Sequence, residues 1–278
     1  MTSTIRKINY KQYPECMFAM IAAFLPQDEG HDLRRIAGDI VFRSEGLNGN
    51  TYRNGLLHSY DDRPARVIGE RQEWYKNGLL HRDGDKPAVI DSNVNSLEWY
   101  RHGLLNREDD QPAMIIRTVQ TWMINGFIHR EGDQPAVVSS DGITRWYRNG
   151  QLHRDGDLPA EINGAAQTWY RNGDIHRDND RPAFVNGPYQ KWYKKDRLHR
   201  DGDLPAVIDV DRQVWYKNDR LHRDGDMPAI IENNGLRRVW YNYGKRHRDG
   251  DQPALIDEFR QHRIWYTNGR LQRETIFE

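Results

Sequence analysis

The chain is 278 residues long, with 41 Lys plus Arg against 41 Asp plus Glu and only 37% hydrophobic residues. A net charge of zero excludes the basic surplus that drives non-specific nucleic-acid binding by counterion release, and the low apolar fraction argues against one large core. Cys16 is the only cysteine, which excludes an intramolecular disulfide and a Cys-rich zinc site and favours a reducing compartment.

Residues 1–46 form the first predicted segment. Between Pro14 and Pro26, the stretch Glu15 to Leu25 sets Met17, Met20, Ile21, Phe24 and Leu25 at helical spacing. The two prolines are placed to open and close that helix. A second helix is expected from Asp32 to Phe42, with Leu33, Ile36, Ile40 and Val41 on one side. The apolar run Met17 to Leu25 is far short of the roughly 20 residues that span a bilayer. It also lacks a basic leader and a small-residue cleavage site. No membrane span and no signal peptide are therefore expected, and the protein is placed in the cytoplasm.

From residue 47 to 278 the chain repeats itself. Aligned units begin at Thr51, Trp74, Trp99, Trp122, Trp146, Trp169, Trp192, Trp215, Trp240 and Trp265, a period of 23 to 25 residues. All nine tryptophans share one slot, and nine of the twelve prolines share another, each followed by Ala. Asn-Gly pairs such as 77–78 and 149–150 lie between short apolar or aromatic runs, the signature of a two-residue type I′ hairpin. That register sets Trp146 opposite His153 and Tyr147 opposite Leu152. A second turn is signalled at Asp141-Gly142, Asn163-Gly164, Asn186-Gly187 and Asn234-Gly235. Helices have no room between these breakers.

One hairpin is not stable alone, since a cross-strand pair contributes only about 0.2 to 1 kcal/mol. Stacked copies supply the missing burial. The expected fold is mainly β: a tandem hairpin array, either a solenoid or an elongated twisted sheet, with a small α-helical segment at the N-terminus. The competing arrangement joins two repeats into each four-stranded blade of a five-bladed β-propeller. The absence of odd-even alternation among the units speaks against it.

The unit Trp-Tyr-Lys-Asn-Gly-Leu-Leu-His-Arg-Asp-Gly-Asp at 74–85 resembles the MORN-like repeats of large DNA viruses, protists and bacteria. The resemblance covers residues 51–278 and departs from standard units in the Asp-Gly-Asp-x-Pro-Ala segment, so membrane-lipid roles do not carry over. It implies a hairpin array acting as a scaffold, in the host cytoplasm if the chain is viral. Pro14-Glu15, Ile21, Phe24-Leu25-Pro26, Leu33 and Phe42 resemble an F-box, the helical motif that docks substrate receptors onto a Skp-type adaptor of ubiquitin ligases. Tyr13 stands where that motif has Leu. The F-box-like module and a plain capping helix pair both remain open.

The repeated residues invite chemistry that the pattern argues against. Histidines 58, 81, 129, 153, 176, 199, 222 and 247 form one register, but no unit departs from the others to supply a base, an orienter and an oxyanion donor. A His packed on Trp and hydrogen-bonded locally is expected instead. Asp-Gly-Asp at 83–85, 155–157, 201–203, 224–226 and 249–251 supplies two carboxylates per unit, fewer than Ca²⁺ needs. These residues also suit turns, and Arg82, Arg154, Arg200, Arg223 and Arg248 beside them suit charge ladders between stacked repeats. The Trp and Tyr rows are expected in the core rather than as a ligand-binding face like that of choline-binding repeats.

The position after Asn-Gly carries the most information. Leu56, Leu79, Leu104 and Phe127 are apolar there, whereas Gln151, Asp174, Arg197, Arg220, Lys245 and Arg270 are polar. The first four units thus carry an apolar strip for the N-terminal helices or a protein partner. The expected function is a non-enzymatic protein-protein interaction scaffold, with an F-box-like substrate receptor as its sharper form. The alternative is a repeat module that binds calcium or an aromatic-caged small molecule. Pro14, Ile21, Phe24, Leu25, Leu33, Leu56, Leu79, Leu104 and Phe127 are the expected partner-binding residues, with no catalytic residue, metal or cofactor.

Overall fold

A computed structural model describes residues 43–45 and 49–276. The expected N-terminal helices, with Pro14, Ile21, Phe24, Leu25 and Leu33, lie outside the described residues. The chain divides into two units, Met1–Leu104 and Leu105–Glu278.

Each repeat before the one at Trp265 builds two hairpins of different kinds. In the repeat that begins at Trp146, strands Tyr147–Arg148 and Gln151–Leu152 pair across Asn149 and Gly150, whose φ values of 49° and 80° suit a type I′ turn. Tyr147 faces Leu152, and the His153 N–H donates to the Trp146 carbonyl at 3.1 Å, so the expected register is the observed one. The chain then crosses through Pro159 to a second hairpin, Glu161–Asn163 with Ala166–Thr168. Here the turn sits one residue later than Asn163-Gly164 implies: Asn163 is a strand residue paired with Ala166, and Gly164 occupies the first loop position at φ 57°. Glycine takes that left-handed backbone at least cost, although Arg117 holds the equivalent position at φ 54°.

The second hairpins join edge to edge. In the second unit, successive strands from Met114–Ile116 through Arg270–Ile276 form one continuous antiparallel sheet, and in the first unit Arg66–Ile68, Arg71–Glu73, Val89–Asp91 and Ser96–Glu98 do the same. Each ladder runs unbroken from repeat to repeat, as at Ala166–Thr168 with Phe184–Asn186. Separate four-stranded blades would interrupt it, so the five-bladed propeller is overturned. The protein is a tandem β-hairpin repeat array.

The Asn-Gly hairpins form a second layer, and Trp marks the passage between layers. Trp74 follows strand Arg71–Glu73, precedes Tyr75–Lys76, and is 3% exposed. Its N–H donates to the Ala88 carbonyl at 2.8 Å. The alanine after every repeat proline, from Ala65 to Ala254, is fully buried, because the layers approach too closely there for a larger side chain.

Interior chemistry differs between the units. Val207, Val214, Ile230, Val239, Leu255 and Ile264 form an apolar cluster in the second, with Tyr216 and Tyr241 against it. In the first, Glu73 is 5% exposed and accepts hydrogen bonds from Arg71 at 2.7 Å and Tyr75 at 2.9 Å. Arg66 adds an ion pair to Glu73, and Arg71 lies within 3.9 Å of both Asp91 and Glu98. Tyr100 and Ser96 donate to Glu98. Taking one partner from such a buried network leaves an uncompensated charge, so the set stands or falls together.

Candidate interaction surface

The polar residues of each repeat are spent on its neighbour. Arg177 shows the pattern: its guanidinium lies over Trp169 of its own repeat, 3.8 Å from the ring centroid. Its Nε and Nη2 grip both oxygens of Asp157 in the preceding repeat at 2.8 and 2.9 Å, and Nη1 donates to the Pro182 carbonyl at 3.3 Å. The same clamp joins Arg130 to Asp110, Arg154 to Asp133, Arg200 to Asp180, Arg223 to Asp203 and Arg248 to Asp226, while Asp62 accepts from Arg82 on one oxygen and from Lys86 on the other. The expected charge ladder is therefore present, with the second Asp of Asp-Gly-Asp as its acid. Hydrogen bonding from Arg177 holds the Asp157 carboxyl below the usual carboxylate range, against the upward push of burial.

The histidines are straps, except His176, whose Nδ1 is buried without a hydrogen-bond partner. His153 Nδ1 accepts the backbone N–H of Asn172 in the next repeat at 3.1 Å, which leaves Nε2 protonated to donate to Asp155 at 3.0 Å. It is the neighbouring Arg154, rather than His153, whose charged group covers the indole. Where the row has Asn106 in place of His, its Oδ1 accepts the equivalent N–H, from Asn125, at 3.4 Å. Recurring clefts of about 330 and 380 Å³ between repeats are lined by these same paired groups. Both carboxylates of an Asp-Gly-Asp unit thus already face cations or imidazoles, and among the described residues no group of three or more His, Cys, Asp or Glu is gathered for a metal. An aromatic cage needs open ring faces, and the indole faces at Trp74, Trp122, Trp146, Trp169 and Trp192 each carry a guanidinium.

The turn row also exposes apolar side chains. Leu56, Leu79 and Leu104 are 51%, 50% and 50% exposed. The Asn-Gly hairpins carrying them are joined by backbone bonds, from Gly78 N–H to the Leu57 carbonyl at 2.8 Å and from Gly103 N–H to the Leu80 carbonyl at 2.9 Å. A Cβ built at Gly78 would sit 3.4 Å from Leu56 Cδ2, and one at Gly103 would sit 3.3 Å from Leu79 Cδ2. Leu56 and Leu79 thus each rest on the next turn, and with Leu104 they make a low ridge along the first unit. In the second unit Phe127, 61% exposed, covers Gly150 in the same way, and the row then turns polar at Gln151. The structure places these four predicted residues at equivalent positions of the hairpin layer. Sequence reasoning missed the network of Arg71, Glu73, Asp91 and Glu98, whose signal was a Glu at 73 where the last three repeats have Val214, Val239 and Ile264.

Neither the protein-family models nor the curated proteins compared with this chain give a match. No helix among the described residues is long and apolar enough to cross a membrane.

Proposed function

We propose that the chain is a non-enzymatic protein-protein interaction scaffold: a MORN-like array whose charged groups hold neighbouring repeats together and whose apolar row meets a partner. The exposed ridge Leu56, Leu79 and Leu104 carries this reading, because equivalent apolar side chains stand half-exposed on three successive hairpins, where later repeats carry polar residues. In its sharper form the chain is an F-box-like substrate receptor of viral type, working in the cytoplasm, whose N-terminal segment recruits a Skp-type adaptor.

Two measurements on the full chain test the two forms. Quantitative affinity capture is run with the wild-type chain and with Leu79→Arg/Leu104→Arg; the scaffold reading expects a defined set of proteins to be lost from the variant, and identical sets would overturn it. Co-purification with a purified Skp-type adaptor is expected to yield a stoichiometric complex that Phe24→Asp abolishes. Absence of that complex removes the F-box-like form and leaves the scaffold reading standing.

A further inference from the structure

The apolar positions of the turn row are not spread along the array. Leu56, Leu79 and Leu104 fall in the first unit, where the chain enters from its first 42 residues. The entry is direct: strand Arg43–Glu45 pairs with Thr51–Arg53, which pairs with Leu56–Leu57. The N-terminal segment therefore joins the structure in the three-stranded sheet that carries the first leucine of the ridge.

The segment is also long enough to lie on part of the ridge and is tethered within its reach. Adjacent strands lie about 4.8 Å apart, so two strands per repeat put Leu56 and Leu104 about 20 Å from each other. The apolar face of Glu15 to Leu25 (Met17, Met20, Ile21, Phe24, Leu25) would cover about 12 Å as a helix. Residues 26–42 between that face and the first strand can span up to about 55 Å, ample to bring the one onto the other. A tether of this length supplies millimolar effective concentration, which lets a small apolar contact persist.

We propose that the segment Glu15 to Leu25 docks along the Leu56, Leu79 and Leu104 ridge of its own chain. The row is apolar at Leu56, Leu79, Leu104 and Phe127, nearest in sequence to the tether, and polar from Gln151 onwards. Any partner that uses the ridge then competes with the segment, and any adaptor that takes Ile21, Phe24 and Leu25 uncovers it. The docking does not depend on whether such an adaptor exists.

Cys16, the only thiol, provides the probe. Full chains carrying Leu79→Cys, Leu104→Cys or, as a control in the polar part of the row, Arg197→Cys are oxidised with diamide at low concentration. Non-reducing gels and mass spectrometry then follow disulfide formation. The expected result is an intrachain disulfide at position 79 or 104 forming at least about tenfold faster than at 197, with the preference lost when Phe24→Asp is added. Two exposed positions are used so that misfolding of one variant leaves the other informative. Equal rates at all three positions, or disulfides only between chains, would overturn the proposal; the second result would assign the ridge to a second copy.

Discussion

Arg177 and Asp157 stand 20 residues apart in sequence, yet meet through two hydrogen bonds of 2.8 and 2.9 Å while the guanidinium lies flat on Trp169. One side chain thus ties together a repeat's own aromatic core and the acidic turn of the repeat before it. Arg177 is 15% exposed, so water screens the contact less than it screens an open surface pair.

Arg177→Ala is expected to lower stability by about 1 to 3 kcal/mol, combining loss of the cation–π contact and of two charge-assisted bonds. Arg177→Lys should recover little, because an ammonium neither stacks on the ring nor bonds both oxygens in one plane. Urea unfolding followed by tryptophan fluorescence checks both. Full recovery by Lys would show that charge alone matters.

Substitution at His153 separates a strap from a titrating group. His153→Ala strands the Asn172 N–H and should destabilise by about 1 kcal/mol. His153→Asn should be nearly neutral, since Asn106 already does the same work at 3.4 Å. A thermal melt comparing the two variants decides this, and equal losses would mean that the imidazole ring itself is required.

Asp196 and Asp219 occupy the glycine slot of the turn at φ 63°. The Asp219 side chain accepts the Leu198 N–H at 2.7 Å, and Asp196 accepts that of Ile175 at 2.6 Å. Asp219→Gly trades that bond for relief of the left-handed backbone and should change stability by less than about 0.5 kcal/mol. Asp219→Ala loses the bond and keeps the strain, a loss of about 1 to 2 kcal/mol. The order Gly above Ala in melting temperature is the checkable outcome.

Acid should open the first unit before the second. Burial alone would raise the Glu73 carboxyl, but hydrogen bonds from Arg71 and Tyr75 and the charge of Arg66 hold it below the ordinary value of about 4.5. A carboxylate lowered in the folded state contributes stability that is complete above its unfolded value and is lost as pH falls towards the folded one. His58 is lowered as well, by burial and by Arg53, so its contribution fades from about pH 6.5 downwards. Burial and the hydrogen bond to Glu98 push Tyr100 up to about 12, so its phenol remains a donor throughout this range. Hydrogen exchange, corrected for intrinsic rates, should show Val89–Glu98 losing protection at higher pH than Val207–Ile264. Simultaneous loss would count against the buried charge network as the weak point.

The repeat period, the I′ turns, the placement of Trp146 against His153 and the β class were all legible in local spacing. So was the apolar run at Leu56, Leu79, Leu104 and Phe127. These features rest on turn chemistry and two-residue alternation, which a single repeat contains. The start of the second loop at Gly164 was missed by one residue, because either Asn163 or Gly164 suits a turn and the ladder through Ala166 chooses between them. Which residue covers Trp was not legible either. His153 and Arg154 are adjacent, and only the stagger of one repeat on the next sends the arginine over the ring and towards Asp133.

Tertiary structure also decided that successive second hairpins share one continuous sheet, that the leucine ridge faces outwards, and that charge is buried at Glu73 where Val214 and Val239 are buried in two later repeats. The shared sheet depends on contacts between repeats, as where Thr168 pairs with Phe184. A 23- to 25-residue motif states what every unit can offer. The register between units, set by backbone bonds such as Gly78 to Leu57 and by the Arg–Asp clamps, determines which of those offers is taken up by a neighbour and which is left to face solvent.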